Sequence, residues 1–287
     1  MRKFLGFDLR LPVASADIPP NKDLYLNREF GVLAFNKRVL AMADDERVPL
    51  LERLKYLCIV SSNMDEFFEI RVSGLQERMR QNPDFREKDG LTAGETLARV
   101  TQIAQQIVAD QYELLNDKIL PALKQEGIAL LTMMAWNDEQ AHWARHYFRQ
   151  EVLPVLTPIG LDPAHPFPRV LNKSLNFAVE LSGHDAFGRT SNIAIVQAPR
   201  ALPRLIRMPS NLSGYEHGFV MLTSILQAFI PELFPGMEVH GVYQFRVTRN
   251  SDLYVDEEEI TNLRVALQGE LSQRHYGDAV RLEVSDQ

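Results

Sequence analysis

The chain contains very little cysteine: Cys58 is the only one in 287 residues. A single cysteine excludes an intramolecular disulfide framework and any metal site built from several cysteines. Cys58 lies in the apolar run YLCIV, which predicts a buried, unreactive thiol rather than a nucleophile. A reduced, cytosolic compartment fits this composition best.

Long apolar runs and an excess of positive charge are also missing. No apolar stretch approaches the ~18 residues of a membrane-spanning helix, so we expect no membrane span. The N-terminal MRKFLGFDLR is not read as a signal peptide, because Asp8 and Arg10 interrupt its short apolar part. The net charge of −7 argues against a nucleic-acid-binding module, although a local basic patch stays open.

The common phosphate-binding and catalytic motifs do not occur in this sequence. Neither G-x-x-x-x-G-K-[ST] nor G-x-G-x-x-G is present, and the nucleophile motif G-x-S-x-G is missing too. His142 and His146 have the spacing of a two-histidine metal face on a predicted helix. The residues between them lack the glutamate of H-E-x-x-H, so a solvated or packing pair is favoured over a metal site. No metal ligand is therefore assigned.

The first part of the chain has a helical period. Residues 1–23 end in PPNKD and predict a loose N-terminal extension. Residues 24–125 predict an all-helical domain. Within it, Thr92 and Glu95 form a capping-box pattern ahead of a long helix.

The second part, residues 126–287, mixes strands with helices. SLNFAVEL, NIAIVQA, VYQFRVTR and AVRLEV are predicted strands. AHWARHYFRQEVL, capped by Asn137, as well as VMLTSILQAFIPEL and EEEITNLRVALQGELSQ, are predicted helices. The fold class is thus predicted as α+β: an all-helical N-terminal domain followed by an α/β domain. We expect that second domain to be truncated, because the chain stops directly after a strand.

The stretch SSNMDEFFEIR, residues 61–71, is unusually polar for an apolar-periodic region. Ser62 with Asp65, and Asn63 with Glu66, both have capping-box spacing, so the stretch predicts the start of a new helix. Most such sites are only caps. The alternative is a helix mouth that meets a ligand, because the Asn63 amide can donate and accept at once and could read the edge of a purine.

A second polar cluster lies in PRVLNKS and PRALPRLIRMP. Its basic residues are Arg169, Lys173, Arg200, Arg204 and Arg207. Cationic side chains at this density could line a polyanion path. The alternative is a solvated sheet edge protected against aggregation, and the residues alone favour that alternative.

Long segments of the chain resemble one family. LYLNREFGVLAFNKRVLAMADDERVPLLERLKYLCIVSSNMDEFFEIRVSGL is similar to the opening of the long, histidine-phosphorylating type of polyphosphate kinase. LTPIGLDPAHPFPRVLNKSLNFAVEL, IVQAPRALPRLIRMP, FRVTRNSDLYVDEEE and GDAVRLEV continue the match in order. The chain departs from the family pattern at Gly31 and Val32, where a serine and a tryptophan are usual. The resemblance implies an N-terminal helical domain and an α/β head domain.

The resemblance also implies a function for the complete enzyme: reversible transfer of the terminal phosphate of ATP to inorganic polyphosphate through a phosphorylated histidine. It assigns Asn63 to ATP binding and implies a homo-oligomer formed through the helical and head domains. ATP or ADP and polyphosphate are the implied partners, without nucleic acid. Mg²⁺ is expected for the complete enzyme, with its ligands outside this chain. The implied location is the cytoplasm, with association at a membrane as the alternative.

No catalytic residue is assigned in this chain. In the family that the chain resembles, the phosphorylated histidine lies in C-terminal domains, and His165 in DPAHPFP is not that site. We therefore expect the chain alone to be inactive in polyphosphate synthesis. The alternatives are a non-catalytic nucleotide-binding or oligomerisation module, and a polyanion-binding domain without a link to ATP.

Overall fold

The first part of the molecule is built from helices. The computed structural model describes residues 25–161, 167–168, 170–184, 192–250 and 277–285. The helices of this part are α1 (Arg28–Asp44), α2 (Leu50–Glu66), α3 (Ser73–Gln81), α4 (Ala93–Glu113) and α5 (Leu120–Gln125), with π-helical segments at Phe67–Val72 and Leu114–Ile119. Thr92 and Glu95 form the predicted capping box at the start of α4.

The expected helix start at Ser61–Asn63 is wrong. Helical residues continue without a break from Leu50 to Gln81, so these polar residues lie within α2 and cap nothing. The reason is a continuous apolar stripe along this helix. Its buried members are Leu57, Val60, Met64, Phe67, Phe68, Val72 and Leu75. Burial of that stripe against the other helices outweighs the local preference of serine and asparagine for caps.

The second part contains two sheets. The larger one has the strand order β2-β4-β3-β7-β8, with antiparallel pairing throughout. In the smaller one, β1 pairs with β6 in parallel and β5 pairs with β6 antiparallel. The strands are β1 (Ile128–Leu130), β2 (Ile159–Gly160), β3 (Leu175–Gly183), β4 (Ile193–Gln197), β5 (Leu205–Arg207), β6 (His217–Met221), β7 (Met237–Arg249) and β8 (Ala279–Val284).

The helices of the second part are α6 (Asp138–Tyr147), continued by a π-helical segment at Phe148–Val152, α7 (Ser210–Ser213) and α8 (Leu222–Phe229), with 3₁₀ turns at Met133–Ala135, Leu153–Val155 and Ile230–Leu233. Residues of α6, its π-helical continuation and α8 share one core with a face of the larger sheet. Phe177, Val179 and Leu181 alternate along β3 and are buried in one core with Phe148 and Leu226. This period of two is the pattern of a strand packed on one face. The predicted α+β class, with a helical part followed by a sheet-containing part, is confirmed.

Several local expectations need correction or fall outside the described residues. Cys58 is exposed rather than buried, because it lies on the face of α2 opposite Leu57 and Val60. The segment VMLTSILQAFIPEL begins as the end of strand β6, and α8 starts only at Leu222. The helix predicted in EEEITNLRVALQGELSQ lies outside the described residues. None of the described helices is long and apolar enough to cross a bilayer.

Candidate functional site

The segment SSNMDEFFEIR lies where the helical part meets the larger sheet. Asp65 accepts two hydrogen bonds from Arg246 on β7, with Nη1–Oδ2 and Nη2–Oδ1 distances of 2.9 Å and 2.8 Å. Arg246 also donates from Nε to Glu283 Oε2 on β8, at 2.8 Å. Paired, charge-assisted bonds of this kind fix both distance and orientation. The last turn of α2 is therefore joined to two strands of the sheet.

Glu69 makes a second connection, from the π-helical segment to the loop before β3. It accepts hydrogen bonds from Lys173 Nζ and from Asn172 Nδ2, both at 2.7 Å. Beside it, the Arg281 guanidinium lies 4.5 Å from the centroid of the Phe68 ring. A π-helical turn has more residues than an α-helical one, and such segments often occur at functional sites. Here the π-helical segment carries Phe68 and Glu69 to their partners on the second part of the chain.

An open cleft of about 540 Å³ lies beside these contacts. This volume is within the range of small-molecule sites. The cleft is lined by Ser62, Asp65, Glu66, Glu69, Ile70, Lys173 and Arg246. The residues that line the cleft therefore include both acidic and basic side chains.

Arg246 keeps its charge in this setting. Burial disfavours the charged form, but the carboxylates of Asp65 and Glu283 outweigh burial and raise the pKa of Arg246 above its usual value. For the neighbouring Arg281 the balance is the reverse: burial lowers the pKa of its guanidinium, and the nearby carboxylates of Glu283 and Asp65 do not offset burial and the charge of Arg246. The charged form of Arg246, which lines the cleft, is thus stabilised more than that of Arg281.

Asn63 lies one turn before Glu66 and points toward α1 rather than out of a helix mouth. Its Nδ2 donates to Asn36 Oδ1 at 2.9 Å, and Asn36 Nδ2 donates to the Val32 carbonyl at 3.0 Å. Asn36 is 1% exposed, whereas Asn63 is partly exposed. Among the described residues, Oδ1 of Asn63 has no hydrogen-bond partner. This oxygen is free to accept a bond from a ligand.

The basic residues that the sequence singled out have different partners in the described structure. Arg200 donates to the Asn172 carbonyl at 3.0 Å. Burial lowers the pKa of Arg204, and the nearby charge of Arg200 lowers it further, so these two guanidinium groups are neighbours. Arg207 lies on β5 in the smaller sheet, 3.3 Å from the His217 ring nitrogen Nδ1. Lys173 is engaged by Glu69, and Arg169 lies outside the described residues.

The two histidines with metal-like spacing, His142 and His146, are both exposed on α6. In the part of the chain that the structure describes, no group of three or more His, Cys, Asp and Glu side chains could hold a metal ion.

Sequence reasoning did not find Asn36, Arg246 or Glu283. Asp65 and Arg246 are 181 positions apart, and no local pattern predicts such a pair. Asn36 did carry a signal, because it lies between Leu33 and Leu40 on the buried side of α1. A polar residue in such a stripe needs a hydrogen-bond partner, and Asn63 is that partner.

Both parts of the chain match models of known protein families. Residues 25–131 match the model of the polyphosphate kinase N-terminal domain, and residues 139–287 match that of the polyphosphate kinase middle domain. The chain belongs to the polyphosphate kinase family. The cleft beside SSNMDEFFEIR therefore lies between the regions matched by the two polyphosphate kinase domain models, with Asp65 and Glu69 in the first and Lys173 and Arg246 in the second.

Similarity to individual polyphosphate kinases supports the family assignment. The proteins of that name from Burkholderia cenocepacia strain HI2424 and Paraburkholderia phytofirmans strain PsJN are each 64% identical over 260 residues, which is 91% of this chain. This chain spans 38% of the length of either relative. The crystal structure of polyphosphate kinase from Porphyromonas gingivalis superposes with a TM-score of 0.68 at 24% identity, covering 87% of this chain and 38% of that one. That likeness concerns the fold.

Proposed function

We propose that this chain supplies the helical N-terminal domain, residues 24–125, and the head domain, residues 126–287, of an enzyme that transfers the terminal phosphate of ATP to polyphosphate. Within it, Asn63 contacts the purine of the nucleotide. The observation that carries this assignment is the Asn63 side chain: it is partly exposed, its Nδ2 is held by Asn36, and its Oδ1 has no hydrogen-bond partner among the described residues. Asn63 follows the cleft-lining Ser62 in the sequence but does not itself line the cleft. A single amide of this kind positions a substrate and makes no bond.

Phosphate transfer itself is assigned to no residue of this chain. In the complete enzyme a phosphorylated histidine would carry the phosphate, and Mg²⁺ would offset the charge of the transferring group. The described residues offer no cluster of three or more ligands for such an ion. We therefore propose no Mg²⁺ ligand here, and the role of this chain is binding and positioning.

We further propose that Arg200, Arg204 and Arg207 flank the polyphosphate path. The support is the proximity of the Arg200 and Arg204 guanidinium groups, since two adjacent cations repel one another unless an anion neutralises them. Polyphosphate affinity should fall steeply with salt, as for any chain of phosphates held by cations. The double variant Arg200→Ala/Arg204→Ala should flatten that salt dependence, whereas an unchanged slope would remove both residues from the path.

ATP binding by titration calorimetry tests the central assignment. The 287-residue chain should bind ATP, and Asn63→Ala should lose most of the binding heat. Asn82→Ala is the matched control, because Asn82 is an exposed asparagine in the same helical part and its side chain makes no hydrogen bond to a described residue. Thermal unfolding of the three proteins shows that all are folded. Equal ATP affinity in Asn63→Ala and in the control would overturn the proposal.

A further inference from the structure

The amide of Asn63 is oriented by a chain of hydrogen bonds that has only one consistent direction. The Val32 carbonyl can only accept, so Asn36 must turn its Nδ2 toward it, at 3.0 Å. Asn36 Oδ1 is then the atom that faces Asn63, and an acceptor there requires the Nδ2 of Asn63, at 2.9 Å. Because Asn36 is 1% exposed, water does not compete for these bonds. The carbonyl of Val32 thus decides which end of the Asn63 amide points inward.

The outward end of Asn63 is consequently its carbonyl oxygen. In the described part of the chain, the buried side-chain atoms without a partner are Asn176 Oδ1 and Thr248 Oγ1. Asn63 Oδ1 is not among them although it has no partner, so this oxygen is reached by solvent. Without Asn36, the Asn63 amide could rotate by half a turn and present either a donor or an acceptor, because its two ends have nearly the same shape.

We propose that Asn36 is a positioning residue that makes the nucleotide site selective for 6-aminopurines over 6-oxopurines. An adenine 6-amino group donates to the fixed Asn63 oxygen, whereas the 6-oxo group of hypoxanthine meets it as a second acceptor. This inference rests on the proposed contact between Asn63 and the purine. It adds that Asn36, which touches no ligand, sets the base preference.

The test measures dissociation constants for ATP and inosine triphosphate, which differ at position 6 of the purine. The parent chain should bind ATP about tenfold more tightly than inosine triphosphate. This ratio corresponds to one hydrogen bond gained with ATP and one pair of facing acceptors with inosine triphosphate. In Asn36→Leu the ratio should fall toward one, because the freed amide can rotate to donate to the oxo group. In Asn36→Asp the ratio should be retained, because its protonated carboxyl can donate to Val32 and accept from Asn63.

A second variant avoids any substitution at the buried Asn36, so it does not depend on whether the protein folds with a different residue there. Asn63→Asp leaves only acceptor atoms at the partly exposed site, so the preference for ATP should persist although both affinities fall. Reversal of the preference in Asn63→Asp, or an unchanged ratio in folded Asn36→Leu, would overturn the inference. Failure of the proposed function looks different: in that case Asn63→Ala binds ATP as well as the parent, or the parent does not bind ATP.

Discussion

We expect a single substitution at the contact between α2 and the larger sheet to lower the free energy of unfolding substantially. Asp65, Arg246 and Glu283, here called the α2–sheet latch, form one ion-pair group in which Arg246 binds two carboxylates. Arg246→Met keeps much of the aliphatic length and removes the charge. It leaves Asp65 and Glu283 without their shared cation. The free energy of unfolding should fall accordingly.

The magnitude follows from how far the latch is buried. Removing one partner of a fully buried ion pair costs about 3–5 kcal/mol. The Arg246 and Asp65 side chains are 27% and 16% exposed, so solvent screens part of this energy. We expect a loss of about 2–3 kcal/mol for Arg246→Met, somewhat below the range for fully buried pairs. Asp65→Asn should lose about 1–2 kcal/mol, because Arg246 then keeps Glu283.

Urea unfolding of both single variants and of the double variant measures the latch directly. Because the two side chains share one interaction, their effects should be non-additive by about 1 kcal/mol or more. The control is Arg86→Met, which breaks an ion pair with Glu95 on the open surface, where the two side chains are 56% and 46% exposed. That control should change stability by about 0.5 kcal/mol or less. If Arg246→Met were no more destabilising than the control, the latch would contribute nothing and the reasoning would be refuted.

Three further predictions concern other parts of the chain. Hydrogen bonds from Arg47 lower the pKa of Asp45 from 3.8 to about 2. The stability that this pair contributes is therefore present above pH 3.8 and is lost as the pH falls through 2. Carbon NMR titration of Asp45 should show a midpoint at about 2, and Arg47→Ala should return that midpoint toward 3.8. Phe148→Ala should lower the free energy of unfolding by about 3–5 kcal/mol in urea, because this ring is fully buried in the sheet core, and a loss below about 1 kcal/mol would contradict that packing. Cys58 should react with a maleimide in the folded protein, since its thiol is exposed, and labelling only after unfolding would show the opposite.

Features with a local cause could be predicted from the sequence. The capping box at Thr92 and the helix cap at Asn137 are set by residues a few positions apart, and both form as predicted. Asn137 in fact forms a full capping box with Gln140. The strand β3 follows from alternation of apolar residues, because one face is buried and the pleat has a period of two. The three-residue strand β5 was missed, since so short a segment has no period to recognise.

Features with a distant cause could not be predicted. Ser62 and Asn63 carry the local signature of a helix start, yet the apolar residues on both sides continue one buried stripe and keep the helix intact. The role of Asp65 depends on Arg246, which only the folding of β7 brings within 3 Å. Fold class and family were therefore accessible from the sequence, whereas the direction in which SSNMDEFFEIR faces required the structure.

The Asn36–Asn63 pair is difficult to explain as a source of stability. Asparagine is a weaker helix former than leucine or alanine, and both residues lie inside helices. Replacing a buried hydrogen-bonded pair by two apolar residues of similar shape is often close to neutral, so packing alone does not require two amides here. Two amides do what two leucines cannot: they fix the direction of a partly exposed carbonyl. If Asn36→Leu proves as stable as the parent while the preference for ATP disappears, the pair is present for recognition, and the cost in helix propensity is the expected mark of a functional site.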